Sequence, residues 1–183
     1  MKNRTLDILT ELTTNARQID TDQLPETIEL LKNANHIFLA GAGRSGIAIQ
    51  AFANRLLHLG FSVSLVNEIT SPHSKAGDLL IVCSGSGETI SLVSLARKAS
   101  VNQVKILLFT MNASSTIQSL ADQVLILPGQ IKDQKKDAGV FSQPMGSAFE
   151  QLAFLTFDSI VLELMDQLEE TSDTMYARHA DFE

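Results

Sequence analysis

Several protein classes are excluded by what this chain of 183 residues has little of. Its one cysteine, Cys83, leaves no pair for an internal disulfide, and its place in an apolar run favours a small buried residue. With 14 Lys and Arg against 21 Asp and Glu, the net charge of −7 argues against a nucleic-acid-binding surface. Its apolar runs are far shorter than the roughly 20 residues that cross a bilayer, so we expect no membrane partner.

The first residues also lack the continuous apolar segment of a signal peptide, because Asp7 and Glu11 interrupt them. We therefore expect a cytoplasmic protein. The length suits one domain with a sizeable core, so residues 1–183 are expected to form a single domain. The His, Cys and Asp residues show no metal-ligand spacing, so no metal site is expected.

Short apolar runs alternate with helical patterns, which predicts an α/β fold: a three-layer α/β/α sandwich around a five-stranded parallel sheet. Right-handed crossovers favour the strand order 2-1-3-4-5 of flavodoxin-like and Rossmann-like folds, in which the first and third strands are neighbours. The predicted strands cover 36–40, 61–66, 79–83, 105–110 and 123–127. The predicted helices cover 5–18, 24–33, 45–59, 88–100, 114–121 and 144–168, with a helical tail at about 172–183.

Two glycine- and serine-rich loops follow the first and third predicted strands: GAGRSG at 41–46 and SGSGET at 84–89. Because the carboxyl ends of neighbouring parallel strands share one edge, the loops are expected to face each other across one crevice. Each loop also opens into a helix, whose N-terminal N–H groups and dipole favour an anion such as phosphate. Together they suggest one phosphorylated ligand held from two sides.

The first loop also spells the dinucleotide-binding pattern GxGxxG through Gly41, Gly43 and Gly46, and Glu68 follows at the distance of a ribose-binding acid. Alone this pattern is weak, and a tight turn between strand and helix explains it equally well. Against a nucleotide, the second loop fills the same crevice with hydroxyl groups.

The second loop offers three hydroxyl donors, Ser84, Ser86 and Thr89, around the backbone N–H groups of Gly85 and Gly87. This set matches the three terminal oxygens of a phosphate monoester. Helix capping, with Ser86 as N-cap and Thr89 at the third helical position, is the alternative. The two roles can coexist.

In the first loop, Arg44 directs a planar, permanently charged group at the crevice, unless it is only an exposed arginine at a helix start. Ser45 is either a helix N-cap or a ligand contact. Gly43 lies beside them.

Glu150 is the candidate for the chemistry. Pro144 suits the first position of a helix, which places Glu150 over Gly146 and Ser147. A glycine inside a helix is unfavourable, and one reason for Gly146 is clearance for a substrate beside the carboxylate. A solvated glutamate on a helix surface is the alternative.

These motifs together resemble the sugar isomerase (SIS) domain family, and most closely its 6-phospho-3-hexuloisomerases, from about residue 8 to the end of the chain. The stretches that carry the resemblance are 41–46, 55–61, 77–79, 84–89, 143–151 and 178–180. The resemblance implies a five-stranded parallel sheet between helices and a homotetramer with active sites near subunit interfaces. It also implies that Ser84, Ser86 and Thr89 bind the sugar phosphate, that Arg44 contacts the substrate and that Glu150 is the base. His179 is a further catalytic candidate, although the ending at 178–183 departs from the usual Asn-Leu-Glu.

The implied reaction interconverts D-arabino-hex-3-ulose 6-phosphate and fructose 6-phosphate, in the ribulose monophosphate pathway of formaldehyde fixation. It needs no cofactor, because one carboxylate can move a proton between C2 and C3 through an enediolate. Another SIS isomerase, for arabinose 5-phosphate or sedoheptulose 7-phosphate, is an alternative. A sugar-phosphate sensor of a transcriptional regulator is another, but residues 1–35 are too short and too weakly basic for a DNA-binding domain.

Overall fold

The computed structural model describes residues 3–129 and 143–181, which form a parallel sheet covered by helices on both faces. The strands are β1 (Ile37–Gly41), β2 (Val63–Leu65), β3 (Leu79–Cys83), β4 (Lys105–Thr110) and β5 (Gln123–Ile126). The α-helices are α1 (Arg4–Ala16), α2 (Leu24–Asn33), α3 (Gly43–His58), α4 (Ile90–Val101), α5 (Ser147–Leu168) and α6 (Ser172–Tyr176). Short 3-10 helices occupy Thr21–Gln23 and Gln118–Leu120.

The sheet has the order β2-β1-β3-β4-β5, which confirms the predicted fold class and topology. Every neighbouring pair of strands is parallel. Gly41 at the end of β1 pairs in register with Cys83 at the end of β3. The two loops therefore leave the sheet side by side, at the switch point where such sheets bind ligands.

The strands are almost continuously apolar because helices cover the sheet on both faces. On one face Phe157 of α5 stacks on Phe52 of α3, with ring centroids 4.6 Å apart, and meets Phe109 of β4 edge-on at 4.9 Å. On the other face Phe38, Leu80 and Val82 pack with α4. All five residues of β3 are buried, as its apolar sequence predicts.

The helix predicted at 114–121 is wrong, since only the 3-10 turn Gln118–Leu120 forms there. The Ser115 hydroxyl accepts a hydrogen bond from the N–H of Gln118, and the N–H of Thr116 donates to the Glu88 carboxylate. These side-chain bonds compete with the backbone hydrogen bonds that an α-helix would need there.

The C-terminal tail is helical over Ser172–Tyr176, and residues 182–183 lie outside the described residues. Within the described residues, the helices are too short or too polar to span a membrane.

Candidate active site

A cleft of about 300 Å³ lies at the carboxyl ends of β1 and β3, between the two predicted loops and the start of α5. It is lined by Ala42, Gly43, Ser45, Cys83, Ser84, Gly85, Ser86, Thr89, Leu92, Met111, Met145, Gly146, Phe149 and Glu150. Seven of the ten residues singled out in the sequence line it together. Of the other three, Arg44 pairs with Glu150, Gly87 is buried within the second loop, and His179 lies elsewhere.

We call the second loop, residues 84–89, the serine loop. Hydrogen bonds to its own hydroxyl groups hold its shape. Ser84 Oγ accepts from the N–H of Gly87 at 3.2 Å, and Ser86 Oγ accepts from the N–H of Glu88 at 3.2 Å. Gly87 has a φ of 66°, which breaks the helical path. Helix α4 therefore begins at Ile90, and the prediction of Ser86 as its N-cap is wrong.

Thr89 occupies the N-cap position of α4, but its side chain makes no capping hydrogen bond within the described residues. Thr89 lines the cleft beside the first turn of the helix. Gly87 is buried, and a Cβ there would lie 2.1 Å from Ser115 Oγ. Gly87 therefore shapes the serine loop without lining the cleft.

The glycines of the first loop are explained by backbone packing. A Cβ on Gly41 would lie 2.9 Å from Gly46 Cα, so the start of α3 touches the end of β1 only because both residues are glycine. Gly43 has a φ of 57° and open space around it. The GxGxxG pattern thus follows from the tight turn between strand and helix.

Ser45 is not the N-cap of α3, because the helix begins at Gly43 with Ala42 before it. Its side chain is instead buried beside the Cys83 thiol in the cleft floor. Burial raises the pKa of Cys83 to about 12, with a smaller increase from the charge of Glu150 and a decrease from the nearby Ser45 hydroxyl. The prediction of a small buried residue at Cys83 is confirmed.

Glu150 lies on the wall of the cleft with its side chain only 8% exposed, so the alternative of a solvated surface glutamate is wrong. Its Oε2 accepts a hydrogen bond from Nε of Arg44. The Arg44 side chain is 61% exposed and also lines an adjoining apolar groove. The other carboxylate oxygen of Glu150, Oε1, takes no part in the bond with Arg44.

Helix α5 begins at Ser147, three residues later than predicted, because Met145 and Gly146 have φ values of 56° and 81°. The Pro144 carbonyl accepts from the N–H of Ser147 at 3.1 Å and from its hydroxyl at 2.8 Å, which closes a turn before the helix. Gly146 is thus the N-cap, and its left-handed conformation, rather than clearance inside a helix, accounts for the glycine.

His179 lies away from the cleft of its own chain. Its ring stacks on His58 at 5.2 Å, and Arg178 donates to the His58 carbonyl at 2.9 Å. His58 ends α3, whose 16 residues span about 24 Å from the cleft at Gly43.

An apolar wall of the cleft was not anticipated from the sequence. It is formed by Leu92, Met111, Met145 and Phe149. Met111 directly follows β4, the strand beside β3. This position at the carboxyl edge of the sheet is the feature of the sequence from which its place in the cleft could have been predicted.

The SIS domain model matches residues 30–154, a stretch that contains both loops and Glu150. The chain belongs to the SIS domain family. The match confirms the family resemblance drawn from the motifs, and the cleft of this SIS domain lies within the matched region.

Two relatives that this SIS domain protein matches over most of their length are named as 3-hexulose-6-phosphate isomerases. A 3-hexulose-6-phosphate isomerase of Bacillus subtilis is 40% identical over 177 residues, which cover 97% of this chain and 96% of that protein. A 3-hexulose-6-phosphate isomerase of Mycobacterium gastri is 36% identical, covering 94% and 86% of the two chains.

A solved structure agrees with these sequence matches. For a Methanococcus jannaschii protein, a 3-hexulose-6-phosphate isomerase function was inferred from the crystal structure. That protein is 31% identical to this chain, and the two structures align with a TM-score of 0.84. The alignment covers 98% of this chain and 99% of that one.

Proposed function

We propose that this SIS domain protein is a phosphosugar isomerase that interconverts D-arabino-hex-3-ulose 6-phosphate and fructose 6-phosphate. The observation that carries the proposal is the buried carboxylate of Glu150, which faces the same cleft as the serine loop. One group can move a proton while the loop opposite binds a phosphate. The named relatives, matched over nearly their whole length, support the choice of substrate.

The phosphate binds in the serine loop. Ser84, Ser86 and Thr89 bring three hydroxyl groups to the cleft, and the start of α4 adds N–H groups and the positive end of a helix dipole. Gly43 and Ser45 approach from the first loop across the cleft. A dianionic phosphate is thus bound by local donors although the whole chain carries a net charge of −7.

Glu150 is the base. Its carboxylate takes the proton from C2 of the hexulose, and the electron pair of that C–H bond moves into a C2–C3 double bond. The C3 carbonyl oxygen gains the charge and forms an enediolate. The same carboxyl group then returns the proton to C3, while the hydroxyl proton on the C2 oxygen passes to the charged C3 oxygen, so that C3 becomes an alcohol and C2 becomes the carbonyl of fructose 6-phosphate.

Arg44 holds the Glu150 carboxylate as the substrate enters and contributes a permanent positive charge beside the reacting atoms. An enediolate oxygen carries more negative charge than the carbonyl from which it forms. A fixed cation next to it therefore stabilises the transition state more than the ground state.

We extend the proposal to the whole protein as one SIS domain over residues 1–183, acting in the cytoplasm as a homotetramer in the ribulose monophosphate pathway. His179 then acts only in the cleft of a neighbouring subunit, because its own cleft lies at the opposite end of α3. Sedimentation velocity of the purified protein measures the assembly directly.

The test is turnover by the purified chain. Hex-3-ulose 6-phosphate is generated enzymatically, and fructose 6-phosphate formation is followed in buffer without added metal or nucleotide. Arabinose 5-phosphate and sedoheptulose 7-phosphate are assayed in parallel. Turnover of the hexulose in preference to these two supports the proposal, and turnover of either in its place would reassign the substrate. No turnover of any would leave a phosphosugar-binding domain without this activity.

A further inference from the structure

We propose that Thr110, the last residue of β4, and Asn112, in the loop that follows it, are positioning residues that hold the serine loop in its phosphate-binding conformation. The inference rests on the phosphate-binding role proposed for the serine loop. Neither residue lines the cleft, so each acts through the backbone of the loop.

Thr110, the last residue of β4, is completely buried, and its side chain contacts the serine loop from the side of β4. Its Oγ1 donates to the carbonyl of Gly85 at 3.1 Å. The N–H of the next residue, Met111, donates to the same carbonyl at 3.1 Å. Both lone pairs of the Gly85 oxygen are therefore occupied from the side of β4.

Asn112 extends this support to the next peptide group. Its Nδ2 donates to the carbonyl of Ser86 at 3.1 Å, and its own N–H donates to Thr110 Oγ1 at 3.1 Å. Its Oδ1 accepts from the N–H of Ser114 at 3.0 Å, which fixes the orientation of the amide. Thr110 and Asn112 thus form one hydrogen-bonded unit beneath the serine loop.

The direction of these carbonyls determines where the amide hydrogens point. In a planar trans peptide group, the C=O and the following N–H point in opposite directions. Holding the Gly85 carbonyl toward β4 turns the N–H of Ser86 away from β4, on the side of the loop that lines the cleft. Holding the Ser86 carbonyl turns the N–H of Gly87 toward Ser84, whose backbone oxygen and hydroxyl accept it.

Among the described residues, the N–H groups of Gly85, Ser86 and Thr89 have no hydrogen-bond partner, and all three residues line the cleft. Donors held in place before the ligand arrives bind an anion without paying for reorganisation at that moment. The unit of Thr110 and Asn112 supplies that rigidity. Its removal is expected to weaken phosphate binding and to leave the chemical step at Glu150 largely intact.

The experiment measures binding of inorganic phosphate by titration calorimetry, together with KM and kcat, in Asn112→Ala and Thr110→Val. Each variant removes a donor to a loop carbonyl, and the loss of such a hydrogen bond corresponds to about a tenfold weaker affinity. We expect that loss for phosphate and a similar rise in KM, with kcat changed less than about twofold. Asn112→Asp keeps the acceptor for Ser114 but lacks the Nδ2 donor, so it is expected to bind no better than Asn112→Ala.

The matched control is Asn102→Ala. Asn102 also donates from Nδ2, to Ser74 Oγ at 3.3 Å, but it lies at the far end of α4 and outside the cleft. Its phosphate affinity and KM are expected to match the wild type. Circular dichroism and thermal unfolding report whether each variant folds, and Thr110→Val decides the case if Asn112→Ala does not.

Wild-type phosphate affinity and KM in folded Asn112→Ala and Thr110→Val overturn the inference, and so does a fall in kcat with unchanged phosphate affinity. A wild-type protein that binds no phosphate overturns it as well. A wild-type protein that binds phosphate but isomerises none of the sugars overturns the proposed function. In that case, weaker phosphate binding by the variants still supports the role of Thr110 and Asn112.

Discussion

Arg44 donates a hydrogen bond from Nε to the carboxylate of Glu150, although 106 positions separate the two residues along the chain. The bond joins the first turn of α3 to the first turn of α5, so both helices begin at the same cleft. A buried carboxylate without a cation is costly, and here the compensating charge comes from a side chain that is itself mostly exposed. An exposed partner can turn toward a ligand without losing its own solvation.

Glu150→Gln is expected to lower kcat by about 100-fold or more, because an amide cannot accept the C2 proton. KM is expected to change little, since the serine loop that holds the phosphate is intact. The coupled assay for fructose 6-phosphate measures both constants. Glu163→Gln, a change of the same kind at an exposed position of α5, serves as the control and is expected to keep wild-type rates. Full activity in Glu150→Gln would show that another group is the base.

Arg44→Ala is expected to lower kcat by about 100-fold, the loss typical of removing one charged donor from a developing oxyanion. Arg44→Lys keeps a charge but presents it as a point rather than a planar fork, so we expect it to recover only part of that loss. In the double variant Arg44→Ala with Glu150→Gln, the losses should be less than additive, because the two side chains contact each other. Strictly additive losses would mean that they act independently.

The sequence was sufficient for the strands, their order and the meeting of the two loops. Runs such as Leu79–Cys83 are apolar because both faces of the sheet are covered, and right-handed crossovers then leave few topologies. It was not sufficient where long-range contacts compete with local preference. Ser45 is buried beside Cys83 instead of capping its helix, and nothing in the sequence pairs Arg44 with Glu150.

Helix starts were the least predictable features for a related reason. Pro144 suits a first helical position, but the left-handed conformations of Met145 and Gly146 postpone α5 to Ser147. Ser86 suits a cap, but the left-handed Gly87 postpones α4 to Ile90. Met145 and Gly146 line the cleft, and Gly87 shapes the serine loop that lines it, which indicates that both local departures serve the site.

Gly46→Ala is expected to destabilise the fold, because its Cβ would lie 3.0 Å from the carbonyl oxygen of Gly41, a backbone atom that cannot rotate away. Overpacking of this kind costs about 1–3 kcal/mol in the free energy of unfolding, measured by urea denaturation. Gly43→Asn is the comparison. Its φ of 57° suits asparagine and its surroundings are open, so we expect a smaller loss. An equal loss in both variants would contradict the packing explanation of the glycine pattern.

Glu170 ties the C-terminal helix to the end of α3. Its two carboxylate oxygens accept from Arg178 at 2.8 and 2.9 Å, Thr174 donates to it as well, and Arg178 also donates to the carbonyl of His58. The hydrogen bond from Arg178, followed by that from Thr174, lowers the pKa of Glu170 from 4.5 to about 2. The folded state thus favours the charged carboxylate.

Because the pKa of Glu170 is lower in the folded state, its contribution to stability is present above about pH 4.5 and is lost as the pH falls toward 2. Glu170→Gln is therefore expected to have a lower Tm than wild type at pH 7, and the difference should narrow at pH 3. Scanning calorimetry at the two values measures it. Glu169→Gln removes the neighbouring charge, which takes no part in the bonds of Glu170 with Arg178 and Thr174, and is expected to show no such difference in Tm between the two pH values. If the Tm difference between Glu170→Gln and wild type is equally large at pH 3 and pH 7, the carboxylate charge does not hold the C-terminal helix. If the Tm difference disappears at pH 3 for this variant alone, the acid sensitivity is assigned to the bond with Arg178.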